Sequence, residues 1–362
     1  MPPKRVLLTG ANTLIGSHIL DHLLSFELSV RAVVASKNDV QSLHQRYPPL
    51  NPRRLDFAVV SPHDGAVPGA YDDALDTELG FFDAVIHTVA ADPAEEADCL
   101  SRFIHLETES LINFLRSVRD VAPKTQRVVI VTCLTPFARW LVDPQVERIP
   151  RRGSLSAPTV AEIDTENVLT TSQAGNNIVA EALWKWNTDT RSHFELVSVT
   201  APSVYGPSIQ SLKNSSDLEE ANRRIWNICS NDSSERVTSP PFGIDFFTDV
   251  RDLAFATVQA VFTSHAGNKR FMVSAGTMPP GSVIAEFLAS RFPELGGRVH
   301  ADGSPPRRPP SGNPPLDFVD NRHVASILQL TKYRQVEETL GDVARQIIDL
   351  HRQKEWKRVI ES

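Results

Sequence analysis

Two features of this chain could do chemistry. The first is the glycine pair Gly10 and Gly16 in TGANTLIGSHIL, where a strand-like run gives way to a helix-like one. A helix N-terminus offers unpaired N–H groups and positive dipole character, and residues without side chains let a pyrophosphate come close. The bland alternative is that both glycines serve only the turn and helix packing. The second feature is an absence. A phenol and an ammonium one helical turn apart make an effective proton donor, because the ammonium lowers the phenol pKa. The four tyrosines, Tyr47, Tyr71, Tyr205 and Tyr333, are followed four residues on by Asn51, Leu75, Ile209 and Glu337, so the chain contains no such pair. His87, Asp92 and His105 are isolated polar residues, each more readily structural than catalytic. No His, Cys or carboxylate grouping has metal-ligand spacing.

The elements that must position these residues alternate along the chain. β-branched runs at 5–9 (RVLLT), 30–34, 55–60, 83–87, 127–132 and 194–200 read as buried strands. Helical periodicity at 17–26, 99–118 and 176–186 lies between some of them. This is the pattern of an α/β fold, a Rossmann-like doubly wound parallel sheet of six strands. After Pro207 the alternation weakens. Residues 1–205 are therefore expected to form the Rossmann-like domain and 206–362 a small C-terminal substrate lobe. Within the latter, 249–275 should return to the main sheet and 336–356 should close the fold as an amphipathic helix. The stretch 304–315 (SPPRRPPSGNPP) reads as a Pro-rich loop or strap.

Composition narrows the class. The 362 residues are 41% hydrophobic and 22% charged with net charge −7, which suits a small-molecule partner and excludes a nucleic-acid or membrane-surface role. Three scattered cysteines and an N-terminus without an apolar signal region lead to the expectation of a cytoplasmic monomer or homodimer.

TGANTLIGSHIL, DAVIHTVA, VTAPSVYGPS and FTDVRDLA, taken together and in this order, resemble the motifs of extended short-chain dehydrogenases/reductases of the NAD-dependent epimerase/dehydratase type. The nearest resemblance is to the NADPH-dependent aldehyde/ketone reductase and dihydroflavonol reductase-like group, and it spans nearly the whole chain. It implies that Gly10, Thr13, Leu14, Ile15 and Gly16 form the cofactor turn, with Thr13 where the family has its middle glycine. It further implies that Lys37 is the remaining cation near the adenosine phosphate, since Ala35 replaces the expected arginine, and that His87 lies beside the cofactor or beneath it. Matching Ala180 and Glu181 to the family's terminal Ala-Glu puts Gln173 at the catalytic tyrosine and Asn177 at the lysine. Leu134 falls at the serine, leaving Thr132 or Thr135 as local substitutes and Tyr205 in a loop that faces substrate. The cofactor stays open: NADP(H) on a weakened motif, with no metal.

Glutamine and asparagine hydrogen-bond but do not exchange protons usefully near neutral pH. The leading expectation is therefore an enzyme with repurposed, lyase- or isomerase-type chemistry in the former reductase pocket. The step would be a cyclisation, isomerisation, dehydration or retro-aldol cleavage of a secondary metabolite. The alternatives are an NADPH-dependent carbonyl reductase with a non-standard proton donor, and a non-catalytic binding protein.

Overall fold

The computed structural model describes residues 4–47, 51, 53–61, 64–76, 78–91, 99–142, 165–229, 244–295 and 321–361. Asp92 and the Pro-rich stretch 304–315 lie outside the described residues. The first half runs β1 (Arg5–Thr9), α1 (Leu14–Ser25), β2 (Ser29–Val34), α2 (Lys37–Arg46), β3 (Leu55–Val59), α3 (Asp72–Leu75), β4 (Ala84–His87), α4 (Leu100–Val121), β5 (Arg127–Cys133), α5 (Thr135–Val142), α6 (Thr165–Asp189) and β6 (Glu195–Ala201). There follow β7 (Ser203–Tyr205), α7 (Glu220–Cys229), β8 (Phe246–Asp249), α8 (Val250–Phe262), β9 (Arg270–Met272), β10 (Gly276–Thr277), α9 (Gly281–Arg291), α10 (Arg322–Leu328) and α11 (Val336–Glu361).

The main sheet has the order β3-β2-β1-β4-β5-β6-β9, with every neighbouring pair parallel. Side chains alternate between its faces, as the two-residue period of a strand requires. Val6, Leu8, Ile86, Val129, Val131, Val197 and Val199 face the core shared with α1 and α8. Leu7, Val85, Val128, Ile130 and Leu196 face the core shared with α4 and α6. Burial on both sides explains why these strands read as unbroken apolar runs.

The sheet has seven strands where six were expected. The seventh, β9, is three residues long and outermost, pairing Arg270, Phe271 and Met272 with Ser198, Val199 and Thr200. A run so short carries no periodicity to read. Helix α6 begins at Thr165, eleven residues before the expected start at 176. Its first half is rich in Thr, Ser, Asn and Gly, poor helix formers by propensity, and burial of Val168, Leu169, Ser172 and Asn176 overrides that preference.

A second sheet, β10-β8-β7, belongs to a smaller core. There Ile225 and Trp226 of α7, Ile284 and Leu288 of α9, and Leu340, Val343 and Ile347 of α11 pack around Tyr205 and Phe247.

Candidate functional site

The turn after β1 is built so that two backbones nearly touch. Gly10 has φ +65, and a Cβ there would lie 2.6 Å from Thr88 Oγ1. A Cβ on Gly16 would lie 2.0 Å from the Gly10 carbonyl oxygen. Thr13, which stands at the expected position of the family's middle glycine, turns its hydroxyl back into the turn. Its Oγ1 accepts from the Gly16 N–H at 3.0 Å and donates to the Gly10 carbonyl at 2.9 Å, making Thr13 the N-cap of α1. Leu14 is buried at the first position of α1, and Ile15 packs against the main core. Lys37 is exposed on the first turn of α2, which Ser36 caps by accepting from the Asp39 N–H at 3.3 Å.

His87 closes the floor. It is buried, its Nδ1 lies 3.0 Å from Thr9 Oγ1, and its ring stacks 4.1 Å from Phe114. Burial pushes its pKa down to about 3, so it is neutral packing beneath the crevice. On the same side lies Glu107, which the sequence reading passed over. Its signal was legible: one carboxylate among Phe103, Ser110, Leu111 and Phe114 on the apolar face of α4.

Glu107 is 2% exposed and its Oε2 accepts the Ala91 N–H at 2.6 Å. Burial pushes its pKa up from 4.5 to about 7, against that hydrogen bond. A carboxyl with a raised folded pKa keeps its proton after the unfolded chain has released it. Stability therefore falls as pH rises from 4.5 to about 7 and levels above that. This group alone accounts for about 3 kcal/mol over the window. Glu107→Gln is expected to remove the slope, leaving the variant more stable than the parent at pH 8 and equal to it at pH 4. Urea unfolding of both proteins at the two pH values reads the difference, and parallel pH dependences would refute it.

A polar group of side chains lies at the ends of β5 and β6. Thr132 Oγ1 and Thr200 Oγ1 lie 3.0 Å apart. Asn176 is buried on α6, and its Nδ2 donates to Thr200 Oγ1 at 3.4 Å. The inward amide is thus Asn176, whereas Asn177 turns to the outer strand, where Arg270 donates to its side-chain oxygen. Adjacent helix residues point about 100° apart, so a one-residue difference decides which amide faces the sheet. Gln173 is half-buried and one turn before Asn176 on a shared face. Thr135 is half-buried at the first position of α5. Leu134 is fully buried against Ala138, Val168 and Phe246.

Tyr205 departs from its expected place facing substrate. It is buried in the small-lobe core beside Phe247, with Arg224 Nη1 donating to its hydroxyl at 3.4 Å. The strand pairing of β7 with β8 carries the residue under α7. Among the described residues no group of three His, Cys, Asp or Glu could hold a metal ion, and no helix is long and apolar enough to cross a membrane.

Comparison with known proteins bears on this geometry. No protein-family model matches the chain. The ketoreductase azaE of Aspergillus niger is 27% identical over 348 residues, 96% of this chain and 98% of its own. The NADPH-dependent methylglyoxal reductase GRE2 of Saccharomyces cerevisiae is 23% identical over 95% and 98% of the two chains. The crystal structure of yeast methylglyoxal/isovaleraldehyde reductase Gre2 complexed with NADPH superposes with a TM-score of 0.67 at 20% identity, covering 96% and 99%. At that identity the superposition speaks for the fold alone.

The sequence relatives overturn the expected cyclisation, isomerisation, dehydration or retro-aldol step and the lyase- or isomerase-type activity. Those matched along nearly their full length are named as reductases or oxidoreductases. The missing Tyr-x-x-x-Lys pair concerns a proton donor, and the backbone turn at Gly10–Gly16 does not depend on it. Along nearly its whole length the chain is similar to a ketoreductase and to an NADPH-dependent methylglyoxal reductase, and it shares the fold of yeast Gre2.

Proposed function

We propose that this protein is an NADPH-dependent carbonyl reductase acting on a small oxygenated molecule, with the hydroxyl pair Thr132–Thr200 in place of a tyrosine as the proton source. The observation that carries this reading is the turn itself. Gly10 and Gly16 let the end of β1 and the start of α1 pack with no room for a Cβ, which sets a helix N-terminus at the end of the first strand, the kind of place where a dinucleotide phosphate binds. When bound, the nicotinamide supplies a hydride to the carbonyl carbon.

The chain's residues then do the rest. Residues 1–205 hold the dinucleotide and 206–362 shape the substrate side. Asn176 donates to Thr200 and fixes its hydroxyl, and Thr200 orients Thr132. Thr132 Oγ donates a hydrogen bond to the carbonyl oxygen and passes its proton to the developing alkoxide. It recovers that proton from solvent. An alcohol and an alkoxide are closely matched as proton donor and acceptor, so the transfer is close to balanced and catalysis rests on orientation. The setting is the cytoplasm, and the substrate is a small aldehyde or ketone.

The test is NADPH consumption with a panel of aldehydes and ketones. Thr132→Val is expected to lower kcat about a hundredfold, the range for deleting one positioned donor, with NADPH affinity unchanged. Asn176→Ala should lower it less, since it acts through Thr200. Full activity in both variants would remove these residues from the mechanism. The absence of both NADPH binding and turnover in the parent would remove the reading itself.

A further inference from the structure

A buried carboxyl stands against the loop that follows β4. Glu107 lies on the apolar face of α4 with Phe103, Ser110, Leu111 and Phe114, and its Oε2 accepts the Ala91 N–H at 2.6 Å. Hydrocarbon of the same size would fill that place at lower cost, because a buried carboxyl gives up its hydration. What the carboxyl contributes and hydrocarbon does not is an acceptor for Ala91.

The loop it holds, residues 88–91, lies where the sheet changes direction. In the order β3-β2-β1-β4-β5-β6-β9 the chain builds outward from β1 through β2 to β3, then crosses to β4 on the other side of β1. An open α/β sheet takes its ligand in the crevice outside the carboxyl ends of the strands at such a switch point. The loop therefore borders that crevice together with the glycine turn. At its near end it is tied to β1: the Thr88 N–H donates to Thr9 Oγ1 at 3.1 Å, and Thr88 Oγ1 donates to the Thr9 carbonyl at 2.8 Å. The approach is so close that a Cβ on Gly10 would lie 2.6 Å from Thr88 Oγ1 and 3.0 Å from Val89 Cγ2. At its far end it is tied to α4 through Glu107.

We propose that Glu107 is a positioning residue for the dinucleotide, which anchors the β4 loop at Ala91 and so keeps residues 88–91 on the path beside the glycine turn that cofactor binding requires. The inference rests on the reductase reading for the identity of the ligand. Glu107 acts on the cofactor through the backbone of the loop. Without the anchor the Ala91 N–H must find another acceptor, and the segment beyond Thr88 leaves its path to do so. A loop that keeps its path about a tenth of the time lowers the apparent affinity about tenfold.

The experiment is calorimetric titration with NADPH of the parent, Glu107→Gln, Glu107→Met and Glu107→Leu, with amide hydrogen exchange over residues 88–91 in the same proteins without ligand. Gln keeps an acceptor oxygen at the same reach, whereas Met and Leu suit the apolar surroundings and remove the acceptor. Circular dichroism verifies that each variant is folded. Glu107→Gln is expected to match the parent in both measurements. The Met and Leu variants are expected to exchange faster over 88–91 and to bind NADPH about tenfold more weakly, with the loss in KM for NADPH and not in kcat. Equal NADPH affinities in all four proteins would overturn the proposal and leave the reductase reading standing. An equal loss in Glu107→Gln would overturn it as well, by assigning the effect to charge and not to the anchor. Faster exchange in the Met and Leu variants with no NADPH binding by any protein would keep the loop anchor and remove the reductase reading. Uniform exchange with no binding would overturn both.

Discussion

Gly16→Ala is expected to destabilise the protein by about 3 kcal/mol and to weaken dinucleotide binding at the same time. Two effects oppose each other at this position. Alanine is the better helix former by about 1 kcal/mol, which would favour the variant if α1 were isolated. Against that, the new Cβ would sit 2.0 Å from the Gly10 oxygen, 2.7 Å from the Gly10 carbonyl carbon and 3.0 Å from the Ala11 Cα. All three are backbone atoms, so no rotamer change relieves the contact. The start of α1 must move away from β1, and Leu14, Ile19, Leu20 and Leu23 of that helix are buried in the main core. The clash therefore wins over propensity. The same movement breaks the hydrogen bonds by which Thr13 holds Gly16 and Gly10, and it displaces the Leu14 N–H. Urea unfolding and calorimetry with NADPH read the two consequences, and a variant as stable as the parent would show that the turn has room to spare.

Much of this architecture is written in local pattern. The buried strands β1, β4 and β5 are legible because a sheet covered on both faces needs a continuous apolar run, and each of them carries one. The site is legible only to the resolution of a helical turn. Asn176 and Asn177 are chemically identical, and which one meets Thr200 depends on how α6 is rotated against β6. Tyr205 shows the same limit from the other side. Its loop sits in the right stretch of sequence, yet pairing of β7 with β8 puts the ring in the small core.

The largest loss of stability is expected from Asp249→Ala, whose carboxylate joins three parts of the chain without reaching solvent. Asp249 is fully buried and caps α8, with Oδ1 accepting from the Arg251 N–H at 2.9 Å and from Arg251 Nε at 2.9 Å. Its Oδ2 accepts from Arg251 Nη2 at 2.8 Å and from Thr339 Oγ1 of α11 at 2.7 Å. Arg251 continues to Asp342 of α11 at 2.6 Å, and Asp252 receives the Arg334 N–H at 2.7 Å. The motif FTDVRDLA thus fastens α8 and the second sheet to the C-terminal helix. Burial pushes the Asp249 carboxyl up, but hydrogen bonds from Arg251 and Thr339 outweigh it and hold the group below its ordinary value. Removing the carboxylate leaves part of the Arg251 guanidinium without an acceptor and the Thr339 hydroxyl with only its long bond to the Gln335 carbonyl at 3.4 Å, at a cost of about 3 to 5 kcal/mol. The Asp342 contact retained by Arg251 places the result toward the lower end. A carboxylate with a depressed folded pKa stabilises above its unfolded value and loses that contribution as pH falls through the folded one. The gap between parent and variant should therefore be full at pH 7 and narrow below the ordinary aspartate range. Urea unfolding at neutral and acid pH measures both. A gap under about 1 kcal/mol at pH 7, the size of an exposed ion pair, would mean that the network stabilises no more than a surface contact does.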